Sequence, residues 1–322
     1  MKTILLTNSY SGLPLEIVRN NVPEGFEILF PEAQTQDALL AAAPRAHYIL
    51  AGGRLKITDE VLARASGLKM VQRSGVGLDA LDLDALRARN IPLYVNRGIN
   101  AQSVAEHTLL LMLACLRRLT VLDRNTKAGI WKKQEQGVRT RELHGKTVGI
   151  IGMGSIARTL VTHLMPFGVK IVYSDIIRAQ AEFENKYSLT FLPVREVLAA
   201  ADIVTLHCAL TPDTANLINA ETLAAMKPES ILINTARGAL VDACALYDAL
   251  KEGRLSFAAL DVHAEEPPSQ DYPLKTLENV ILTPHIAGVT YDSFAAMMRD
   301  AFGNIAAFER GETEKIAPSR YL

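Results

Sequence analysis

The chain has 322 residues, 49% of them apolar, which is enough for two domains of ordinary size, each with its own core. Its 34 basic residues are balanced by 35 acidic ones, so there is no electrostatic case for a nucleic-acid or membrane-surface partner, and small metabolites fit better. The three cysteines, Cys115, Cys208 and Cys244, have no paired spacing, which argues against a disulfide framework or a zinc site and for a reducing, cytoplasmic compartment.

The first residues have an apolar core too short for a signal peptide and read as a strand at 3–6. Further strand-like runs follow at 27–30, 48–51, 69–72 and 93–95, separated by helical or turn segments such as 58–65 and 81–89. This alternation predicts a small parallel-sheet domain. A helical stretch at 103–119 contains no turn residue and reads as a bridge between domains. Its longest apolar run, 109–116, lies between Glu106-His107 and Arg117-Arg118 and falls short of the roughly 20 residues a membrane span needs.

Seven more strand candidates occupy 148–151, 170–173, 190–192, 203–206, 230–233, 257–260 and 280–282. Their near-continuous apolar character suits a parallel sheet covered by helices on both faces. The last helix, at 291–309, is expected to return to the first domain. The expected fold is therefore α/β with two doubly wound parallel-sheet domains, a Rossmann-type dinucleotide-binding domain at 99–288 inserted in a flavodoxin-like substrate domain at 1–98 plus 289–322.

The second sheet opens with the most informative segment. The strand at 148–151 runs into Gly152-Met153-Gly154-Ser155-Ile156-Ala157, a helix is expected to open near Ser155, and the next strand closes on Asp175. Gly152 permits a tight turn, Gly154 lets backbone approach a pyrophosphate, and the helix start offers free N–H groups and a positive dipole end. Ala157 keeps helix-to-strand packing close. Asp175, about twenty residues on, can accept hydrogen bonds from ribose hydroxyls and repels a 2'-phosphate, which favours NAD over NADP.

Ligands of open parallel sheets sit beyond the carboxyl ends of the strands. Four strand ends there carry polar groups: His207, Asn234 to Gly238, Asp261 to Pro267, and Thr283 to Gly288. Hydride transfer to a 2-keto acid needs a cation that holds the carboxylate and polarises the carbonyl, and an arginine fork, Arg237, suits that task. It needs a proton donor with a pKa near neutrality, for which His285 is the candidate, and a carboxylate beside it, Glu266, to orient the ring and favour its charged form. His207 and His263 are rivals for the histidine. Glu106-His107 lacks the second histidine of a zinc helix, so no metal is expected, and His107 reads as a helix residue facing the interdomain crevice, a possible substrate neighbour.

Taken with Gly75-Val76-Gly77, Ser103 to His107 and His207 to Pro212, these motifs resemble, over nearly the whole length, the D-isomer-specific 2-hydroxyacid dehydrogenases. That family contains glyoxylate and hydroxypyruvate reductases, D-lactate dehydrogenase and D-3-phosphoglycerate dehydrogenase. The resemblance implies catalytic roles for Arg237, Glu266 and His285, and places Asp261 beside the nicotinamide. It adds Ile156, His207, Thr211, Thr235, Ala236 and Gly288 to Gly152, Gly154, Ser155 and Asp175 as cofactor-binding residues. Val76 and Gly77 are implied to meet the substrate carboxylate through backbone N–H groups, with Arg54, Arg237 and His285 completing the substrate set. A homodimer formed largely through the nucleotide domain, and domain closure over the cofactor, are also implied.

The substrate is expected to be small and unphosphorylated, such as glyoxylate or hydroxypyruvate. Gly52-Gly53 stand where phosphoglycerate dehydrogenases usually carry an arginine-serine pair, leaving only Arg54 and Lys56 nearby in sequence. Ala80, Cys208 and His263 also depart from the family pattern, and an end at Leu322 leaves no room for an appended amino-acid-sensing domain. The alternatives are a D-3-phosphoglycerate dehydrogenase and, in another class, a dinucleotide-sensing binding protein resembling the C-terminal-binding corepressors. Formate dehydrogenase is disfavoured by Glu266, where that enzyme has glutamine.

Overall fold

The structure is a computed structural model that describes every residue except Val76. The chain divides into two compact units, Met1–Asn100 with Val289–Leu322, and Ala101–Gly288. The first contains the strands β1 (Lys2–Leu6), β2 (Phe26–Leu29), β3 (Tyr48–Ala51), β4 (Met70–Arg73) and β5 (Leu93–Val95). The second contains β6 (Thr147–Ile151), β7 (Lys170–Ser174), β8 (Thr190–Phe191), β9 (Ile203–Leu206), β10 (Ser230–Asn234), β11 (Leu255–Leu260) and β12 (Val280–Leu282).

Both sheets are parallel throughout, in the orders β2-β1-β3-β4-β5 and β12-β11-β10-β9-β6-β7-β8. The first order is that of flavodoxin-like sheets, and the second places its first strand inside the sheet, between β9 and β7, as a Rossmann-type sheet does. Successive side chains along a strand point to opposite faces. In the first unit Leu5, Ile49, Val71 and Leu93 enter one buried cluster while Ile4, Tyr48, Met70 and Tyr94 enter another. The second cluster is completed by Met298, Ala301, Phe302 and Ile305 of helix Tyr291–Glu309, which opens with a Thr290–Ser293 capping box. In the second unit Val148, Ile150, Ile203 and Ile233 face helices Ala101–Leu116 and Ser155–Leu164, while Val204, Leu206, Leu232 and Leu260 face helix Ala243–Lys251. A strand buried on both faces needs apolar residues at every position, which is why these strands read as continuous runs.

The helix expected at 103–119 differs from the observed one. It spans Ala101–Leu116, and Arg118 takes a left-handed conformation (φ 51) that starts a separate helix, Leu119–Lys127. Two adjacent arginines carry no local signal for that break.

Candidate active site

The order of strands reverses between β6 and β9, which opens a crevice at the carboxyl end of β6, and the glycine turn lies there. Gly152 is required twice over. Its φ of +94 is left-handed, and a Cβ on it would come within 2.5 Å of the Cys208 backbone nitrogen and 2.6 Å of the His207 carbonyl carbon. Gly154 differs, since a Cβ there would meet nothing within 4 Å. Its missing side chain leaves open space in front of helix Ser155–Leu164, whose first turn has no side-chain cap. Ala157 is fully buried beneath that helix. An uncapped helix start behind an open glycine is a cradle for a pyrophosphate, so these residues fit a dinucleotide. Asp175 follows β7, with one carboxylate oxygen accepting from Met153 N–H in the glycine turn and the other from Ile177 N–H at 3.0 Å. Each oxygen keeps acceptor capacity for a ribose hydroxyl.

The other residues expected around the cofactor are placed unevenly. Burial pushes the His207 imidazole down to about 4, so it is neutral at pH 7, and its Nε2 lies 3.0 Å from Thr205 Oγ1. Cys208 beside it is pushed up to about 11 by burial, which makes it an inert thiol. Ser155 and Thr211 are exposed and Ile156 is half-buried. The Thr211 N–H donates to Thr214 Oγ1 at 2.8 Å. Thr235 is buried, its hydroxyl 3.0 Å from that of Thr108, and Ala236 packs on the core while its N–H donates to Asn234 Oδ1. Gly288 is half-buried at the end of the unit.

Arg237 is presented by a turn with a clear physical cause. Asn234 at the end of β10 accepts Ala236 N–H at 3.0 Å and donates to the Arg237 carbonyl at 2.8 Å. Gly238 then brings the turn against the loop after β11, where a Cβ would lie 1.9 Å from the His263 carbonyl carbon. No other residue fits. The Asn-x-x-Arg-Gly pattern is thus a device that sets Arg237 beside the loop that carries Glu266.

Glu266 and His285 meet. His285 Nδ1 lies 2.8 Å from Glu266 Oε2, and Oε1 accepts the His263 N–H at 3.0 Å. Burial alone would raise the Glu266 pKa, but the bonds from His285 and His263 outweigh it and hold the carboxyl below the usual range. With Nδ1 directed at the carboxylate, Nε2 is on the side of the half-exposed ring away from Glu266. His285 has φ 54, a conformation that a residue with a side chain takes only when its surroundings impose it.

Asp261 anchors the loop that follows β12. Its carboxylate is wholly buried and accepts Thr283 Oγ1–H at 2.6 Å, Ile286 N–H at 2.9 Å and Ala287 N–H at 2.8 Å. It therefore holds the turn that carries His285. His107 joins the same group, its Nε2 3.4 Å from Thr283 Oγ1 and 3.7 Å from Asp261 Oδ1. Because the threonine hydroxyl gives its proton to the carboxylate, the histidine must donate through Nε2. His263 donates through Nε2 to the Thr283 carbonyl at 3.1 Å, so the His107 and His263 rings both serve this turn.

In the first unit, Val76 lies outside the described residues. Gly77 and the strand ends around it involve a residue that the sequence reading passed over, Arg73. Its Nε donates to the Gly77 carbonyl at 2.7 Å and its Nη1 to the Ala51 carbonyl at 2.9 Å, while Nη2 lies 3.3 Å from where a Gly53 Cβ would be. Arg54 is exposed. The expectation that only Arg54 and Lys56 stand near Gly52-Gly53 is corrected by this third cation, which comes from the neighbouring strand. Gly52 has its own cause: the Asn8 carboxamide occupies the space of its Cβ, 2.1 Å away at Oδ1.

Residues 109–287 match the family model described as D-isomer specific 2-hydroxyacid dehydrogenase, NAD binding domain. A glyoxylate reductase from Korarchaeum cryptofilum is 33% identical over 300 residues, covering 92% of this chain and 87% of the relative. A D-3-phosphoglycerate dehydrogenase from Mycobacterium leprae is 38% identical over 267 residues, 83% of this chain and 50% of the relative, so the chain spans about half the length of that relative. Among solved structures, a D-lactate dehydrogenase from Aquifex aeolicus, complexed with NAD and lactic acid, superposes with a TM-score of 0.87 at 27% identity, covering 99% of this chain and 98% of that one.

Proposed function

The chain belongs to the D-isomer specific 2-hydroxyacid dehydrogenase family, and from that premise we propose that it moves a hydride between NAD and a small 2-hydroxy or 2-keto acid. The observation that carries the reading is the Glu266–His285 contact at 2.8 Å, on a turn that Asp261 holds in a left-handed conformation. A dinucleotide, when bound, supplies or takes the hydride at its nicotinamide ring. Arg237 holds the keto-acid carboxylate and polarises the carbonyl. His285 gives a proton from Nε2 to the developing alkoxide in reduction and removes it from the alcohol in oxidation. Glu266 accepts at Nδ1, which fixes the orientation of the ring. Asp175 reads the ribose, and Arg54 and Gly77 remain assigned to the substrate.

The relatives' names leave two substrate classes, glyoxylate-like acids and a phosphorylated one. Glycines at 52 and 53, where an arginine fork would be needed for a phosphate, favour the unphosphorylated acid. We also assign the molecule to a cytoplasmic homodimer. Its three cysteines are free, no helix among the described residues is long and apolar enough to cross a membrane, and Leu119, Ile130, Trp131 and Val138 are exposed apolar residues close together in sequence.

Steady-state kinetics with a panel of 2-keto acids, each with NADH and with NADPH, tests the activity. Turnover of glyoxylate or hydroxypyruvate with NADH is expected. Tight NADH binding without turnover of any keto acid would replace this reading with that of a dinucleotide-sensing protein.

A further inference from the structure

The loop after Asp175 carries a cation that the reading above does not use. The bond from Ile177 N–H to Asp175 Oδ1 turns this loop, and Arg178 follows three residues after Asp175. A guanidinium placed there is the group that recognises a 2'-phosphate, since its fork gives paired charge-assisted hydrogen bonds. In this chain the fork is occupied. Arg178 Nε and Nη2 donate to the two carboxylate oxygens of Glu184 at 2.9 and 3.0 Å, and the guanidinium carbon lies 5.5 Å from the centre of the Phe191 ring.

Glu184 is itself fixed. It is buried on helix Ala181–Tyr187, where it accepts the Tyr173 hydroxyl at 2.6 Å, and that hydroxyl accepts Ala179 N–H at 2.9 Å. Arg178 foremost, then Tyr173, hold its carboxyl below the usual range. The arginine on the other side of the glycine turn is also engaged: Arg158 Nε donates to the Met153 carbonyl at 3.1 Å and its guanidinium lies 4.7 Å from the Phe183 ring centre.

We propose that Glu184 is a specificity-determining residue for the dinucleotide: by occupying the Arg178 fork, it withholds from the adenosine end of the site the cation that would bind a 2'-phosphate. The proposal rests on the assignment of Asp175 to the ribose of NAD. Asp175 and Glu184 act on different groups. Asp175 repels the phosphate directly, whereas Glu184 removes the charge that would compensate for it.

The test is titration of the full chain with NADH and NADPH, read as nicotinamide fluorescence, alongside kcat/KM with a keto acid. In an Asp175→Asn background, Glu184→Gln keeps an acceptor for Tyr173 and is expected to tighten NADPH by about tenfold while leaving NADH within about twofold. Adding Arg178→Ala is expected to abolish that gain. With Glu184 intact, Arg178→Ala should leave NADPH affinity unchanged. An unchanged NADPH affinity in the Glu184 variant, or a loss of NADH and NADPH binding together, would overturn the proposal. So would weaker NADPH binding in Arg178→Ala with Glu184 present, an arm that leaves Glu184 bonded to Tyr173. Failure of the Asp175 assignment looks different, as equal wild-type affinities for NADH and NADPH.

Discussion

Asp261 holds His285 in place without touching its side chain. The Asp261 carbonyl accepts His285 N–H at 2.7 Å, and its carboxylate takes the next two N–H groups, of Ile286 and Ala287. A left-handed histidine costs of the order of 1–3 kcal/mol and persists only where neighbours over-determine it. Here the three bonds from one buried residue do so, and the turn delivers the imidazole to Glu266.

Removing that carboxylate should therefore act on stability and turnover together. Asp261→Ala leaves two backbone N–H groups unpaired, at about 1–3 kcal/mol each, which a urea unfolding curve would read. Asp261→Asn keeps the volume and is expected to lower kcat more than it raises KM. A folded Asp261→Asn protein with wild-type kcat would show that the turn does not need the charge.

Two glycines of one turn should respond in opposite ways. Gly152→Ala must place a Cβ 2.5 Å from backbone at a left-handed φ, so both stability and NADH affinity should fall. Gly154→Ala meets no atom of the chain and should leave the melting temperature unchanged while weakening NADH. Equal NADH affinity in Gly154→Ala and wild type would remove the pyrophosphate from this position.

The acid–base pair gives a pH signature. The Glu266 carboxyl lies below its ordinary range in the folded chain, so its stabilising contribution is complete above the unfolded carboxylate value and is lost as pH falls through the folded one. The stability difference between wild type and Glu266→Gln should shrink as pH falls through the acid range. Without the carboxylate at Nδ1 the ring loses its orienting partner, so Glu266→Gln is expected to lower kcat more than it raises KM. His285→Ala should cost about 100-fold to 10,000-fold in kcat. A Glu266→Gln protein with wild-type kcat would take Glu266 out of this role.

The parts legible in the sequence were those with a local cause. β3, β5, β9 and β12 were read to the residue because a strand buried on both faces is written as an apolar run, and helix Tyr291–Glu309 because its cap and period are local. The glycine turn was legible because its chemistry is confined to six consecutive residues. What escaped depends on distant partners. The burial of Asp261 follows from Thr283 and Ala287, more than twenty positions on, and Arg73 reaches Gly53 only through the pairing of β3 with β4. The Asn8 carboxamide over Gly52 likewise requires the ends of β1 and β3 to be neighbours. Periodicity along one segment carries none of these.

The substrate class follows from that same sheet edge. A phosphate ester brings close to two negative charges and calls for arginine forks directed at it. Arg73 commits its Nε and Nη1 to the carbonyls of Gly77 and Ala51, which spends most of its fork on the loop, and Arg54 stands exposed. An arginine at position 52 requires the Asn8 carboxamide to move out of the space of its Cβ. Wild type is therefore expected to show a higher kcat/KM for glyoxylate or hydroxypyruvate than for phosphohydroxypyruvate, with the difference little changed by Arg54→Ala. Gly52→Arg alone should destabilise the chain, whereas Asn8→Ala with Gly52→Arg should fold and shift the ratio toward the phosphorylated acid. If wild type instead prefers phosphohydroxypyruvate and Arg54→Ala abolishes the preference, Arg54 is the phosphate ligand and the unphosphorylated assignment is wrong.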